Sequence, residues 1–110
     1  MGSHVLGEFE LMVLLAVLHL GEEAYAVSIV EEITARTGRE VKRAAVYVTL
    51  RRLEQKGFVR SWLGAPTRER GGKAKRHVAV EPAGMAAARD TRDALRSMWG
   101  GLEPLLAEGR

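Results

Sequence analysis

Arg39, Lys42, Arg43, Arg51, Arg52, Lys56, Arg60, Arg68, Arg70, Lys73, Lys75 and Arg76 crowd one stretch of a 110-residue chain. Only Glu40, Glu54 and Glu69 oppose them there, so this stretch carries +9 while the remainder carries −6 of a total of +3. A cationic segment beside an acidic remainder suits non-covalent neutralisation of a polyanion's phosphates rather than bond-breaking chemistry. The groups that covalent chemistry would need are missing. Cysteine is absent, and His19 and His77 lie far apart in sequence, without the companions that metal-ligand spacing requires. No glycine-rich phosphate loop, nucleotide fingerprint, His-Glu-x-x-His pair or nucleophile elbow occurs. The expectation is a binding protein with no enzymatic reaction, no cofactor and no metal.

The elements that must carry those cations can be read from periodicity. Residues 8–19 predict a helix that is apolar nearly all round, through Phe9, Leu11, Met12, Val13, Leu14, Leu15, Val17 and Leu18. Such a helix needs cover on more than one side, and a second subunit is the simplest second cover. Its apolar run is too short to cross a bilayer and lacks a basic leader, so no membrane partner is expected and the cytoplasm is the expected location. A second helix over residues 25–36 follows the break at Gly21-Glu22-Glu23, with Val27, Val30 and Ile33 inward, helped by Ala26 and Ile29, and Gly38 as a left-handed stop. A third helix spans residues 42–56, with Val46, Leu50 and Leu53 as a narrow core stripe. Helical-wheel placement puts Ala44, Val48, Arg51 and Gln55 on the opposite side, with Arg52 beside them.

Residues 58–63 and 76–80 have strand composition, and the Gly-, Pro- and charge-rich stretch 64–73 between them predicts a hairpin loop. Pro82 opens a last helix, where proline is tolerated in the first turn. Ala88, Thr91, Leu95, Met98, Leu102 and Leu105 alternate spacings of three and four along it, the pattern of a helix–helix seam. Gly100-Gly101 and Pro104 predict a bend, fraying or a short extra turn after Trp99. Met1-Gly2-Ser3-His4 has the composition of an expression-tag remnant. The expected organisation is residues 1–4 as tag, 5–81 as a DNA-binding unit and 82–110 as a dimerisation helix.

Helix, helix, helix, strand, basic loop, strand is the order of a winged helix-turn-helix, an α+β fold that is mainly α. In that arrangement the third helix enters the major groove of double-stranded DNA and the hairpin reaches flanking phosphates. Residues 45–59, Ala-Val-Tyr-Val-Thr-Leu-Arg-Arg-Leu-Glu-Gln-Lys-Gly-Phe-Val, resemble the recognition helix of the PadR family, with its tyrosine and its Leu-x-x-Leu-Glu-x-x-Gly ending. Residues 72–80, Gly-Lys-Ala-Lys-Arg-His-Val-Ala-Val, are similar to that family's wing return, and Tyr25 and Thr37-Gly38 also fit. The resemblance runs from about Leu6 to Trp99. Three positions depart from it: His77 and Val78 stand where aromatics are usual, Glu81-Pro82 replaces a threonine at the start of the last helix, and Ala24 replaces a glycine.

The resemblance implies a transcriptional repressor acting as a homodimer, with the Tyr47 hydroxyl on a phosphate. Val48 suits a thymine methyl, and Lys42, Arg43, Arg51 and Arg52, beside Ala44, supply guanine or phosphate contacts. Arg68, Arg70, Lys73, Lys75 and Arg76 on the wing suit phosphates. Phe9, Met12, Leu15, Ala88, Leu95, Met98, Trp99 and Leu102 are the expected dimer contacts. Trp99 either packs that interface or, as the resemblance suggests, helps to hold a small flat aromatic effector. A winged helix used for protein or RNA contact is the alternative. The basic face weighs against pure protein contact, and its scarcity of aromatics weighs against single-stranded RNA.

Overall fold

In the computed structural model, which describes residues 5–65 and 74–108, local signals in the sequence set each element boundary. Helix α1 (Glu8–Leu20) opens where Glu10 Oε1 accepts the Gly7 N–H at 3.1 Å, satisfying a donor that would otherwise be orphaned at the helix start. A 3-10 turn (Gly21–Glu23) leads to α2 (Ala26–Thr37). There Ser28 Oγ accepts the Tyr25 N–H at 3.0 Å and donates to the Glu23 carbonyl at 2.6 Å. Gly38 ends α2 and Gly57 follows α3 (Arg43–Gln55), with φ of 72° and 81°, backbone that a side chain would strain. Strands β1 (Val59–Leu63) and β2 (Arg76–Val80) pair antiparallel, from Val59 opposite Val80 to Leu63 opposite Arg76. Helices α4 (Pro82–Trp99) and α5 (Glu103–Glu108) complete the chain, separated at Gly100-Gly101 as the glycines predict. This is the mainly helical winged helix-turn-helix expected from the order of elements. Arg68, Arg70, Lys73 and residues 1–4, expected to be a tag remnant, lie outside the described residues.

The core gathers Val13, Leu14 and Val17 of α1, Ile29 and Ile33 of α2, and Val46 and Leu53 of α3, closed by Phe58, Val59 and Val78 of the hairpin. Two predicted stripes are rotated. In α2 the fully buried positions are Ala26, Ile29 and Ile33, while Val27 and Val30 are half-buried; the residues expected to assist are the core. In α3 Thr49 is buried and Leu50 only half-buried. A small side chain at 49 lets α3 approach its neighbours closely, and the bulkier Leu50 lies at the edge of that contact.

The departures from the family pattern find local explanations. Ala24 is fully buried with φ of −84°, a conformation that needs no glycine, and its carbonyl accepts the Val78 N–H at 3.0 Å. That bond ties β2 to the corner between α1 and α2. His77 fills the aromatic position by stacking on Trp62, its cross-strand partner, with ring centroids 5.8 Å apart. Pro82 is the first residue of α4 behind Glu81, whose N–H donates to the Phe58 carbonyl at 2.8 Å.

The first half of α4 is fastened to the core along one side, through Gly84, Ala87 and Thr91. Thr91 is buried and accepts the Leu6 N–H at 2.9 Å while donating to the Ala87 carbonyl at 2.8 Å. Thr91 therefore leaves the predicted intermolecular seam, because its spacing matches the inner face of α4 equally well. A Cβ built on Gly84 would fall 2.2 Å from the Phe58 carbonyl oxygen, so only glycine lets α4 sit this close to the turn after α3. At an ordinary helix position Gly→Ala gains about 1 kcal/mol. Gly84→Ala should instead lose about 1–3 kcal/mol through overpacking, read as a lower urea midpoint.

Lys56 Nζ bonds Glu10 Oε2 at 2.8 Å, clamping the end of α3 to the start of α1, and Arg39 pairs with Glu8 at 3.0 Å. The Lys56 bond, aided by the Gly7 N–H, holds the Glu10 carboxyl below its ordinary range against the opposing effect of burial. A lowered carboxyl contributes stability above its unfolded value and loses it as pH falls through the folded one. Glu10→Gln should therefore cost about 0.5–1 kcal/mol near neutral pH. The cost should vanish in acid, where wild type and variant should unfold at the same urea concentration.

Candidate nucleic-acid interface

Helix α3 has two unequal sides. Val46, Thr49 and Leu53 face the core with half-buried Leu50 beside them, and the rest of the circumference is open. Lys42 caps the N-terminus, and Arg43, Ala44, Tyr47, Val48, Arg51 and Arg52 are all exposed. Tyr47 keeps 52 % and Val48 46 % of its surface accessible. The structure thus brings the predicted α3 residues to one continuous outward surface. Among the described residues Lys42, Arg43, Arg51 and Arg52 form no ion pair with a carboxylate. Glu10 holds Lys56, and both Glu54 carboxylate oxygens accept from Ser61 Oγ at 3.1 Å. Cations held in no ion pair attract an anion without the cost of breaking one, although the carboxylate of Glu54 stands on the same helix.

The wing root adds to this face unevenly. Lys75 extends to Tyr25, and a hollow of about 240 Å³ joins both to Tyr47 and to Arg76. The Arg76 guanidinium also donates to Ser61 Oγ at 3.3 Å across the hairpin. Arg60 lies over the Trp62 ring at 4.9 Å. Tyr25 is the residue to which sequence reasoning gave no role, and only its place ahead of α2 marked it.

The expected dimer contacts separate into three groups. Leu15, Ala88, Leu95 and Trp99 line an open groove of about 620 Å³ between α1 and α4, together with Leu11, Leu18 and Met85. Met98, 76 % exposed, and Leu102 lie exposed at the far end of α4 and just beyond it. Phe9 and Met12 lie elsewhere: Arg39 covers the Phe9 ring at 5.6 Å and approaches Met12 Sδ at 3.8 Å. Leu11, Leu15 and Leu18 recur at four and three, so the groove side of α1 was available from spacing alone. The all-round apolar character of α1 hid it. Arg89, Arg92 and Arg96 also line the groove.

Comparison with known proteins agrees with this geometry. The profile of the transcriptional regulator PadR-like family matches residues 14–90, more than half of the chain. A comparison with curated proteins finds no match. Among solved structures, a PadR-like transcriptional regulator from Bacillus cereus superposes with a TM-score of 0.72 at 14 % identity, over 89 % of this chain and 90 % of that one. A PadR family transcriptional regulator from Eggerthella lenta gives 0.66 at 24 % identity, over 86 % and 80 %. The BpsR protein of Bordetella bronchiseptica, whose DNA binding is regulated by 6-hydroxynicotinic acid, gives 0.62 at 21 % identity, over 91 % and 70 %. At these identities the likeness concerns the fold, and the family match concerns the sequence. With a winged helix and an exposed basic face on α3, the chain belongs to the PadR-like family of DNA-binding transcriptional regulators.

Proposed function

We propose that the protein is a cytoplasmic homodimeric repressor that reads an inverted-repeat operator in double-stranded DNA. The carrying observation is the outward face of α3, where arginine and lysine stand without carboxylate partners around Tyr47 and Val48. Residues 5–81 hold the reading unit, and the segment from Pro82 onward joins two copies. Arg51 and Arg52 are placed for guanine edges or phosphate, Val48 for a thymine methyl, and the Tyr47 hydroxyl for a phosphate. Lys42, Arg43, Lys75 and Arg76, with Arg68, Arg70 and Lys73 of the wing, neutralise the backbone. The unpartnered apolar groove along α1 and α4 is the dimer surface. Trp99, 51 % exposed beside it, either packs that surface or holds a small aromatic effector that releases DNA, a mode of control in keeping with the small acid that regulates the Bordetella protein.

Binding to duplex DNA and to single-stranded RNA at several salt concentrations separates this reading from the RNA-module alternative, which requires RNA to bind more tightly. Within the reading, Arg51→Ala should cost about 1–3 kcal/mol of discrimination at one base pair of each half-site. Tyr47→Phe should weaken all sequences by a similar modest factor, and Val48→Ala should matter only opposite thymine. Wild-type affinity and preference in all three variants would remove α3 from the groove.

Assembly has its own test. Leu95→Asp with Met98→Asp should give monomers by light scattering and lower operator affinity by roughly 100-fold or more, because two linked half-sites bind with an avidity that one lacks. A monomeric wild type with full affinity would contradict the dimer.

A further inference from the structure

Lys75 meets no carboxylate among the described residues. Its ammonium instead lies 3.2 Å from the Tyr25 hydroxyl and 4.3 Å from the centre of the Tyr25 ring. A phenol and its π-face hold a cation in place without cancelling its charge, whereas a carboxylate would do both. The hollow beside it, about 240 Å³, is walled by Tyr25, Tyr47, Lys75, Arg76 and the first turn of α2, with no acidic residue. One water takes on the order of 30 Å³, so the space suits a hydrated tetrahedral anion. We propose that Tyr25, Lys75 and Tyr47 form a socket for one backbone phosphodiester, and that Tyr25 is the positioning residue that aims the Lys75 ammonium into it. The proposal rests on the DNA-binding reading above and adds a defined contact to it.

Tyr25 is fixed well enough to serve. Its backbone N–H is held by Ser28 Oγ at 3.0 Å. Its ring meets His77 edge-on at 6.2 Å, and His77 in turn stacks on Trp62. The neighbouring Ala24 carbonyl accepts the Val78 N–H. Tyr25 is thus tied to both strands of the hairpin and to the start of α2, while Tyr47 brings the flank of α3 to the same hollow. A long lysine side chain loses rotamer freedom when it binds, and prior fixation lowers that loss. The socket therefore makes wing and recognition helix grip one phosphate as a unit.

A double-mutant cycle on a random-sequence duplex, titrated with salt, tests this without knowledge of the operator. Lys75→Gln should weaken binding about tenfold per socket, as for loss of a charged hydrogen bond. It should also flatten the salt dependence by about 0.9 per socket. Tyr25→Leu should flatten the salt dependence too, although it removes no charge, and the double variant should bind no more weakly than Lys75→Gln alone. Lys75→Arg should retain most of the slope. Should Tyr25→Leu melt early, Tyr25→Phe, which loses only the hydroxyl, should show the same non-additivity with Lys75→Gln at smaller size. An unchanged slope in the Tyr25 variants, or additive losses, would overturn the socket while leaving DNA binding intact. A wild type without salt-dependent duplex binding would overturn the DNA reading and the socket together.

Discussion

The narrow contact that α3 makes with the core governs everything functional in this molecule. Val46 and Leu53 are fully buried, each worth about 1.5–3 kcal/mol relative to exposure, and Thr49 between them allows close approach. Because the stripe is narrow, with only half-buried Leu50 at its edge, most of the circumference is left to solvent and can hold arginine, lysine, tyrosine and valine without harm to the fold. The same stripe fixes which way that surface points. Lys56 with Glu10 at one end of α3, and the Phe58 N–H bonded to the Leu53 carbonyl, prevent it from rolling.

Orientation of the recognition helix is passed to α4 through the same corner. Phe58 ends the turn after α3, and its carbonyl accepts the Glu81 N–H while facing Gly84 at a distance that excludes any side chain. Thr91 with Leu6 fastens the next turns. The half of α4 beyond Thr91 carries Leu95, Met98 and Trp99 with much of their surface exposed. In the proposed dimer, a two-fold contact made there would set the spacing of the two α3 helices and so link assembly to sequence reading.

Much of this was legible in the sequence because the signals are local. Helix limits follow from Gly38, Gly57 and Pro82, strand pairing from two short apolar runs, and the exposed side of α3 from the spacing of Val46, Leu50 and Leu53. What stayed hidden depends on tertiary contact. Thr91 fits an intermolecular seam and an intramolecular core equally well by spacing, and only the position of Leu6 decides between them. Phe9 and Met12 read as interface because α1 is apolar all round, and spacing gave no sign that Arg39, far along the chain, lies over the Phe9 ring and reaches Met12 Sδ. The wheel for α2 had Ala26 and Ile29 as helpers, since Val27, Val30 and Ile33 at spacings of three match a helix face as well as Ala26, Ile29 and Ile33 do. Tyr25 could not be assigned a role from its neighbours, because its partners His77 and Lys75 are some fifty residues away.

The central claim is that the outward face of α3 reads double-stranded DNA from a two-fold assembly. In vitro selection from a random duplex pool tests it most directly. The account predicts enrichment of an inverted repeat whose half-site centres lie one helical turn apart, ~34 Å, with fixed bases in each half-site. A pool that remains random after repeated selection, or one that converges on a single unrepeated site, would contradict it.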